Sequence, residues 1–476
     1  MTTKKDLVEA HAFSRRRLVT AFLSGAPGGR EVEPSRPGRT IVGGAALALL
    51  LVAGAAIASV LAPRTQTDWD KPGLVISKQT GERYVITAQG AALRPVINVT
   101  SAQLILGAHV TPTIVSQKTL DGRIPGDDIG ILGAPQQLPT ESVFVESGWT
   151  ACTADGAGAS VAVARRPAVS VAAGSGTTVT ADGKTFWVVA VGADHHAWRY
   201  QVPRIRGEDN LLEAVGLPQE AQAARVSDSW LALFPAGGTL GFASFGLGSR
   251  VGQPVSYAGQ GGIAGDARIG DFATVTSTKR VFLLTADGPA PLDAFAAAIY
   301  TITAELTPNG PREAGTGQLP SVAQVAPTWA DAQWPTATLQ SLDGPACGEL
   351  VAKAGAAPYV LLAGGPHGSA WSSPDAGQLD PVADPGAGAL VRSGDWGQTT
   401  SSNVWIVDDR AKAYPIQDEQ TLARLGFGSY RAPLVPDSWI KVLGAGVPLS
   451  SALALCSPET PPQAESTAGT GAGSCS

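Results

Sequence analysis

Charge is what this chain has least of. Only 16% of its 476 residues are Asp, Glu, Lys or Arg, and the net charge is −6. No basic stripe is available to displace phosphate counterions, which excludes a nucleic-acid partner. Histidine occurs five times and cysteine four times. No CxxC pair or neighbouring Cys/His pattern is present, which excludes a zinc site of the usual spacing. His11, His109 and His367 stand alone, and His195 and His196 are adjacent in a strand-like run that would point them to opposite faces. No catalytic triad can be assembled from them. Long apolar runs are also missing, with one exception. Gly (57) and Pro (35) are abundant instead, a composition suited to many short strands and turns.

The exception is Ile41 to Ala62, IVGGAALALLLVAGAAIASVLA, which contains no charged residue. At the helical rise it extends about 33 Å, enough to cross a hydrocarbon core of about 30 Å. The rival, a cleaved signal peptide, would not carry so long a hydrophilic prefix. The arm before it holds Lys4, Lys5, Arg15, Arg16, Arg17, Arg30, Arg36 and Arg39 against four acids, so the expected topology is N-terminus inside and the remainder outside. Within the arm, Leu7, His11, Ser14, Leu18 and Phe22 recur at helical intervals, and the segment reads as a short amphipathic helix for anionic lipid or a cytosolic partner. Ser24 to Arg39 reads as a flexible linker.

Beyond the span a hairpin-plus-helix pattern recurs. Leu74 to Thr87 reads as strand, Thr80-Gly81 turn and strand, and Leu93 to Leu106 leads into a helix capped near Asn98 or Thr100. Two later stretches share the skeleton LxxΦGΦ…VxDSWΦxΦ: Leu212 to Leu217 with Val226 to Gly237, and Leu422 to Phe427 with Val435 to Gly446. Arg280 to Ile299 is a weaker copy, giving four units. Asp228 and Asp437 are expected as helix caps. Gly/Pro-rich stretches between units one and two, and between three and four, carry Cys152 and Cys347. With Cys456 and Cys475, every cysteine lies after the span, where thiols oxidise, and three pairings are open.

The expected organisation is a cytosolic arm and linker (1–40), a transmembrane helix (41–62), repeat 1 (63–120), a central domain in two parts (121–180 and 311–400), repeats 2 (181–245), 3 (246–310) and 4 (401–455), and a disordered tail (456–476). The expected fold class is α+β, a single transmembrane helix followed by an elongated extracytoplasmic region of four small α/β repeats around a central β domain.

Several stretches together resemble EccB, a core membrane component of the actinobacterial type VII (ESX) secretion machine. They are Ala10 to Leu18 (AHAFSRRRL), Val75 to Val85 (VISKQTGERYV), Pro95 to Ala102 (PVINVTSA), Ile131 to Pro135, Trp149 to Cys152 and Leu284 to Leu292 (LTADGPAPL). The resemblance implies a structural and assembly subunit in the cytoplasmic membrane, working with EccC, EccD and EccE and self-associating through its extracytoplasmic region. It also implies a central β domain closed by a disulfide, for which Cys152 and Cys347 are the candidates. Where the family tends to carry a basic stretch, this chain has Pro125-Gly-Asp-Asp128. The family is often labelled an ATPase, so ATP enters as a cofactor by that label alone. Asp182-Gly-Lys-Thr185 ends like a phosphate-binding loop, but Thr178 stands where the loop needs glycine, and the segment reads as a hairpin turn. Gly259 to Ala264 meets a relaxed dinucleotide pattern with no helix after it. No catalytic, cofactor-binding or metal residue is expected.

Overall fold

A computed structural model describes residues 3–24, 43–52, 68–108, 110–206, 208–304, 312–316, 321–368 and 371–458. The chain divides into two units, residues 1–66 and 67–476. In the first, helix α1 spans Lys4–Ser24. Asp6 accepts from the Thr3 hydroxyl and amide at 2.7 and 3.1 Å, which holds its carboxyl below the usual range. Leu7, Leu18 and Phe22 of α1 are exposed. Residues 43–52 are helical (α2); the rest of the 41–62 span and the linker after Ser24 lie outside the described residues. Among the described residues no helix is long and apolar enough to cross a membrane.

The second unit is a mixed α/β assembly, with five small sheets among the described residues. In the first, β1 (Gly73–Ser77) pairs antiparallel with β2 (Arg83–Ile86), and β2 with β3 (Arg94–Pro95). Gly81, at φ 75°, supplies the left-handed residue of the β1–β2 turn. Helix α3 (Val99–Leu106) follows, then β4 (Thr113–Val115) parallel to β1 and α4 (Gln117–Leu120). The chain then runs beside β3 through parallel bridges Leu93↔Pro125 and Val96↔Ile129. Asn98 is the α3 cap, accepting from the Ser101 amide at 2.8 Å while donating to the Ile131 carbonyl at 3.0 Å. Thr100 donates instead to the Pro135 carbonyl. Asn98 is buried, so Asn98→Ala removes a cap and orphans a carbonyl together. The expected cost is about 2–4 kcal/mol, read as a lower denaturation midpoint.

The central sheet begins with β5 (Trp149–Thr153), β6 (Ala159–Val163) and β7 (Ser170–Val171). The chain leaves it for a second meander, β8 (Ser175–Thr180), β9 (Phe186–Val191) and β10 (Ala197–Gln201). Helix α5 (Glu208–Ala214), β11 (Ala224–Arg225) parallel to β8, α6 (Asp228–Leu231) and β12 (Ala236–Thr239) parallel to β10 complete this sheet. The third meander is β13 (Phe272–Val275), β14 (Arg280–Leu284) and β15 (Pro289–Leu292), with α7 (Ala294–Ala304) and β16 (Glu313–Thr316) parallel to β13. After β17 (Gln340–Ser341), which lies along β8, the chain re-enters the central sheet as β18 (Ala346–Val351), β19 (Tyr359–Gly364) and β20 (Leu379–Ala383). The order there is β20-β6-β5-β18-β19-β7. The last sheet repeats the connectivity of the second: meander β21 (Ala389–Gly394), β22 (Asn403–Val407) and β23 (Lys412–Ile416), then α8 (Glu419–Arg424), β24 (Leu434–Pro436), α9 (Asp437–Lys441) and β25 (Gly444–Ala445). Helix α10 (Ser451–Ala454) ends the described chain.

Two details differ from the sequence reading. The cap of α6 is Ser227, whose hydroxyl accepts from the Trp230 amide at 3.1 Å. Asp228 and Asp437 are instead the first residues of α6 and α9, where a negative charge meets the positive end of the helix. The limits expected at 180/181 and 400/401 each fall between paired strands, because β8 pairs with β9 and β21 with β22.

The apolar cores cross these sheets. One cluster contains Trp149 and Val161 of the central sheet, Trp230 and Phe234 from the second, and Val391 and Trp439 from the last. Another joins the second and third sheets through Tyr200, Leu212, Phe245 and Phe295. A further cluster joins Leu104 of α3 and Ile131 to Leu390, Tyr414 and Leu422 of the last sheet. Sheets this small cannot bury enough apolar area alone, so each completes its core on a neighbour.

Candidate functional site

The central sheet brings Cys152 and Cys347 together. They stand opposite one another on the neighbouring antiparallel strands β5 and β18, and are disulfide-bonded with Cα atoms 4.0 Å apart. Both are buried, in a small cluster with Ala363, Val169 and Trp371. Thr153, beside Cys152, accepts from the amide of Ala346, beside Cys347, at 3.0 Å. Over this patch the segment at Trp371 and Ser372 is held to β6 and β20: the Ser372 amide donates to Ser160 Oγ at 3.2 Å, and its hydroxyl to Asp380 Oδ2 at 2.5 Å. A void of about 10 Å³ remains between Thr150, Ser160, Pro366 and Trp371. The arrangement covers the sulfurs and offers no room for a substrate.

The two tryptophans of the shared skeleton reach out of their own sheets. Trp230 Nε1 donates to the Ala151 carbonyl at 3.0 Å, in the strand that carries Cys152. Trp439 Nε1 donates to the Leu233 carbonyl at 3.2 Å, just beyond α6. Both rings are fully buried. The central sheet, the second sheet and the last sheet are thus linked in series by two indoles at equivalent places in the skeleton. Further joints were not readable in the sequence. Arg424 Nη1 of α8 donates to the Ile105 carbonyl of α3 at 3.0 Å, and the Tyr430 hydroxyl to Glu146 at 2.6 Å. Long side chains with partners hundreds of residues away leave no local signal.

The phosphate-like stretches are turns. Asp182 Oδ1 accepts from the amides of Thr185 and Lys184 at 2.7 and 2.8 Å. These bonds hold its exposed carboxyl down to about 2. The amides that a phosphate would need are therefore occupied by an anion of the chain's own. In the Gly259 stretch the amide of Gly259 donates to the Ile263 carbonyl at 3.1 Å and that of Ile263 to the Gln260 carbonyl at 2.9 Å. The loop is closed on itself and opens no helix. His195 and His196 lie in the β9–β10 turn and not in a strand: His195 has φ 65°, and His196 sits 3.0 Å from Asp194 and stacks on Tyr359. His109 lies outside the described residues. Among the described residues no group of three His, Cys, Asp or Glu side chains could hold a metal ion. A partly open cavity of about 100 Å³ lies between Phe245, Arg250, Ile269 and Asp287, and an open depression of about 520 Å³ at Gly107, Gln420, Arg424 and Gly428. Neither holds a nucleophile paired with a base.

The sequence family described as "Type VII secretion system ESX-1, transport TM domain B" matches residues 1–463. The chain belongs to this EccB family. Among curated relatives, the ESX-1 secretion system ATPase EccB1 of Mycolicibacterium smegmatis is 34% identical over 114 residues, covering 24% of this chain and 23% of that protein. The ESX-3 secretion system ATPase EccB3 of Mycobacterium tuberculosis is 32% identical over 176 residues, 32% of each chain. The chain therefore aligns with about a quarter to a third of the length of these relatives. In fold it is similar to a chain of an intact ESX-5 inner membrane complex, with TM-score 0.64 and 21% identity, covering 99% of this chain and 98% of that one. It is also similar to a chain of an EccB3 dimer from the ESX-3 core complex, with TM-score 0.59 and 20% identity over 80% of this chain and 99% of that one.

Proposed function

We propose that this EccB-family chain is a structural and assembly subunit of a type VII secretion complex in the cytoplasmic membrane. Its basic arm lies inside, residues 41–62 span the bilayer, and the remainder lies on the outer face, where four repeats surround a central β domain closed by the Cys152–Cys347 bridge. Its partners are further copies of itself and the other core components EccC, EccD and EccE. The observation that carries this reading is the family match over residues 1–463, which takes in the arm, the span and the sheets together. The shared cores support it, since they make a framework and leave the phosphate-like turns self-satisfied. The curated relatives are named ATPases, and an extracytoplasmic ATPase is the competing reading.

The test has two arms. Deleting the chain should abolish export through its secretion system and lose the membrane complex, both restored by the intact chain. The purified chain with magnesium and ATP should release phosphate no faster than a blank. Hydrolysis that tracks the chain through purification and disappears with a single polar substitution would overturn the structural reading.

A further inference from the structure

Ile124 is the most exposed large apolar side chain described in residues 67–476, at 85%. It follows α4 at one corner of the first sheet, where the Arg123 amide donates to the Leu120 carbonyl at 2.9 Å. The Arg123 guanidinium lies over the ring of Trp69, 5.7 Å from its centroid, and its Nη2 finds no hydrogen-bond partner among the described residues. Trp69 is half-buried and packs on the cluster of Val75, Leu93, Val115 and Leu120, so the sheet holds the indole and, through it, the guanidinium beside Ile124. Lys71, two residues after Trp69, is exposed and paired with Asp68 at 3.1 Å. Asp121, Asp127 and Asp128 are exposed on the stretch that carries Ile124, so the corner bears both signs of charge. An open aliphatic side chain beside a tryptophan and long cations is the set that settles at a membrane–water interface.

The chain itself sets what lies within reach of this corner. Trp69 follows Ala62, the last residue of the span, by seven residues. Fully extended, a segment of that length reaches about 25 Å. We propose that the corner rests on the outer leaflet of the membrane, with Ile124 at the acyl boundary, Arg123 on a phospholipid phosphate and the neighbouring carboxylates facing the headgroup ammonium. The lipid is zwitterionic, because a purely anionic surface would meet the three aspartates with like charge. The tether keeps even a weak contact occupied, since the bilayer is always close by and its effective concentration is high. This surface rests on the span and topology proposed above.

The experiment uses the full chain in vesicles of phosphatidylethanolamine and phosphatidylcholine, with a photoreactive benzophenone side chain placed at one position at a time. Irradiation should join position 124 to lipid and leave position 171 unlabelled, although Val171 on the central sheet is also exposed. Arg123→Gln should lose most of the adduct at position 124, and Arg123→Lys should keep it; an unchanged yield in Arg123→Gln overturns the phosphate contact. Added phosphatidylglycerol should not raise the yield, and a rise overturns the zwitterionic assignment. Position 124 joined to a second copy of the chain, or to nothing, overturns the proposal. A benzophenone at position 50, inside the span, separates the causes. If it labels lipid while position 124 does not, the corner alone is wrong; if neither does, the span reading has failed and the corner falls with it.

Discussion

Trp230→Ala should lower the stability of residues 67–476 by about 3–5 kcal/mol, the range for truncating a fully buried large aromatic. The ring is 1% exposed and packs on Phe234 with centroids 4.9 Å apart, inside the cluster shared by three sheets. Because that cluster draws strands from each of them, the cavity cannot be closed by a shift of one sheet alone. Trp230→Phe keeps most of the apolar volume and loses the indole donor to Ala151, so its cost should be nearer 1–2 kcal/mol. Trp439→Ala should match Trp230→Ala in size, since Trp439 is also fully buried. The double variant should cost less than the two singles together, because Trp439 bonds to Leu233 at the end of the turn that Trp230 anchors. Denaturant titration of the full chain, followed by tryptophan fluorescence and by far-UV ellipticity, reads all of these. Strict additivity would mean that the two indoles serve separate cores, and a loss under 1 kcal/mol for either single would reject the role assigned to it.

How much of this was visible in the sequence depends on range. The skeleton LxxΦGΦ…VxDSWΦxΦ marks the second and last sheets because a glycine after a helix and a tryptophan inside the next are local signals. Gly216 and Gly426 have φ of 86° and 93°, and a Cβ on Gly216 would lie 2.3 Å from the Leu339 carbonyl oxygen. The family itself was legible through such motifs. The third strand of each meander was not. β3 is two residues long and ends in proline, and β15 contains Pro289 and Pro291, residues that argue against a strand unless it sits at an edge, as both of these do in the strand order. β8, Ser-Gly-Thr-Thr-Val-Thr, has one large apolar side chain and so carries no strand pattern in the sequence, although its whole length is buried. The histidine pair read as strand because the turn depends on a left-handed His195, a conformation that no local pattern specifies. The phosphate-like turn was readable, because Asp two and three residues before Lys184 and Thr185 favours the bonds it makes.

Cys152→Ala should have the other large effect. The bridge joins residues 195 apart in sequence, and the chain-entropy relation gives about 5 kcal/mol for a loop of that length. Residual structure in the unfolded chain reduces this, and a loss of about 2–5 kcal/mol is expected, against a net stability of about 5–15 kcal/mol for a typical domain. The folded sheet itself should survive. Cys347 is flanked on β18 by Gly348, Glu349 and Leu350, each registered with β5, and on the far side β19 pairs along the whole of β18. The effect therefore lies mainly on the unfolded chain, which regains the freedom of everything between the two cysteines. Alanine is the cleaner replacement, because serine would put a hydroxyl into the apolar cluster at Val169, Ala363 and Trp371. Cys347→Ala should give the same loss, and Cys152→Ala/Cys347→Ala little more than either, since both changes delete one bond. Reduction of the native chain under denaturing conditions, followed by refolding with the thiols blocked, should reproduce the deficit. Equal denaturation midpoints for oxidised native chain and double variant would show that the paired strands hold this sheet without the bridge, and would remove the disulfide from the account of what fastens its two halves.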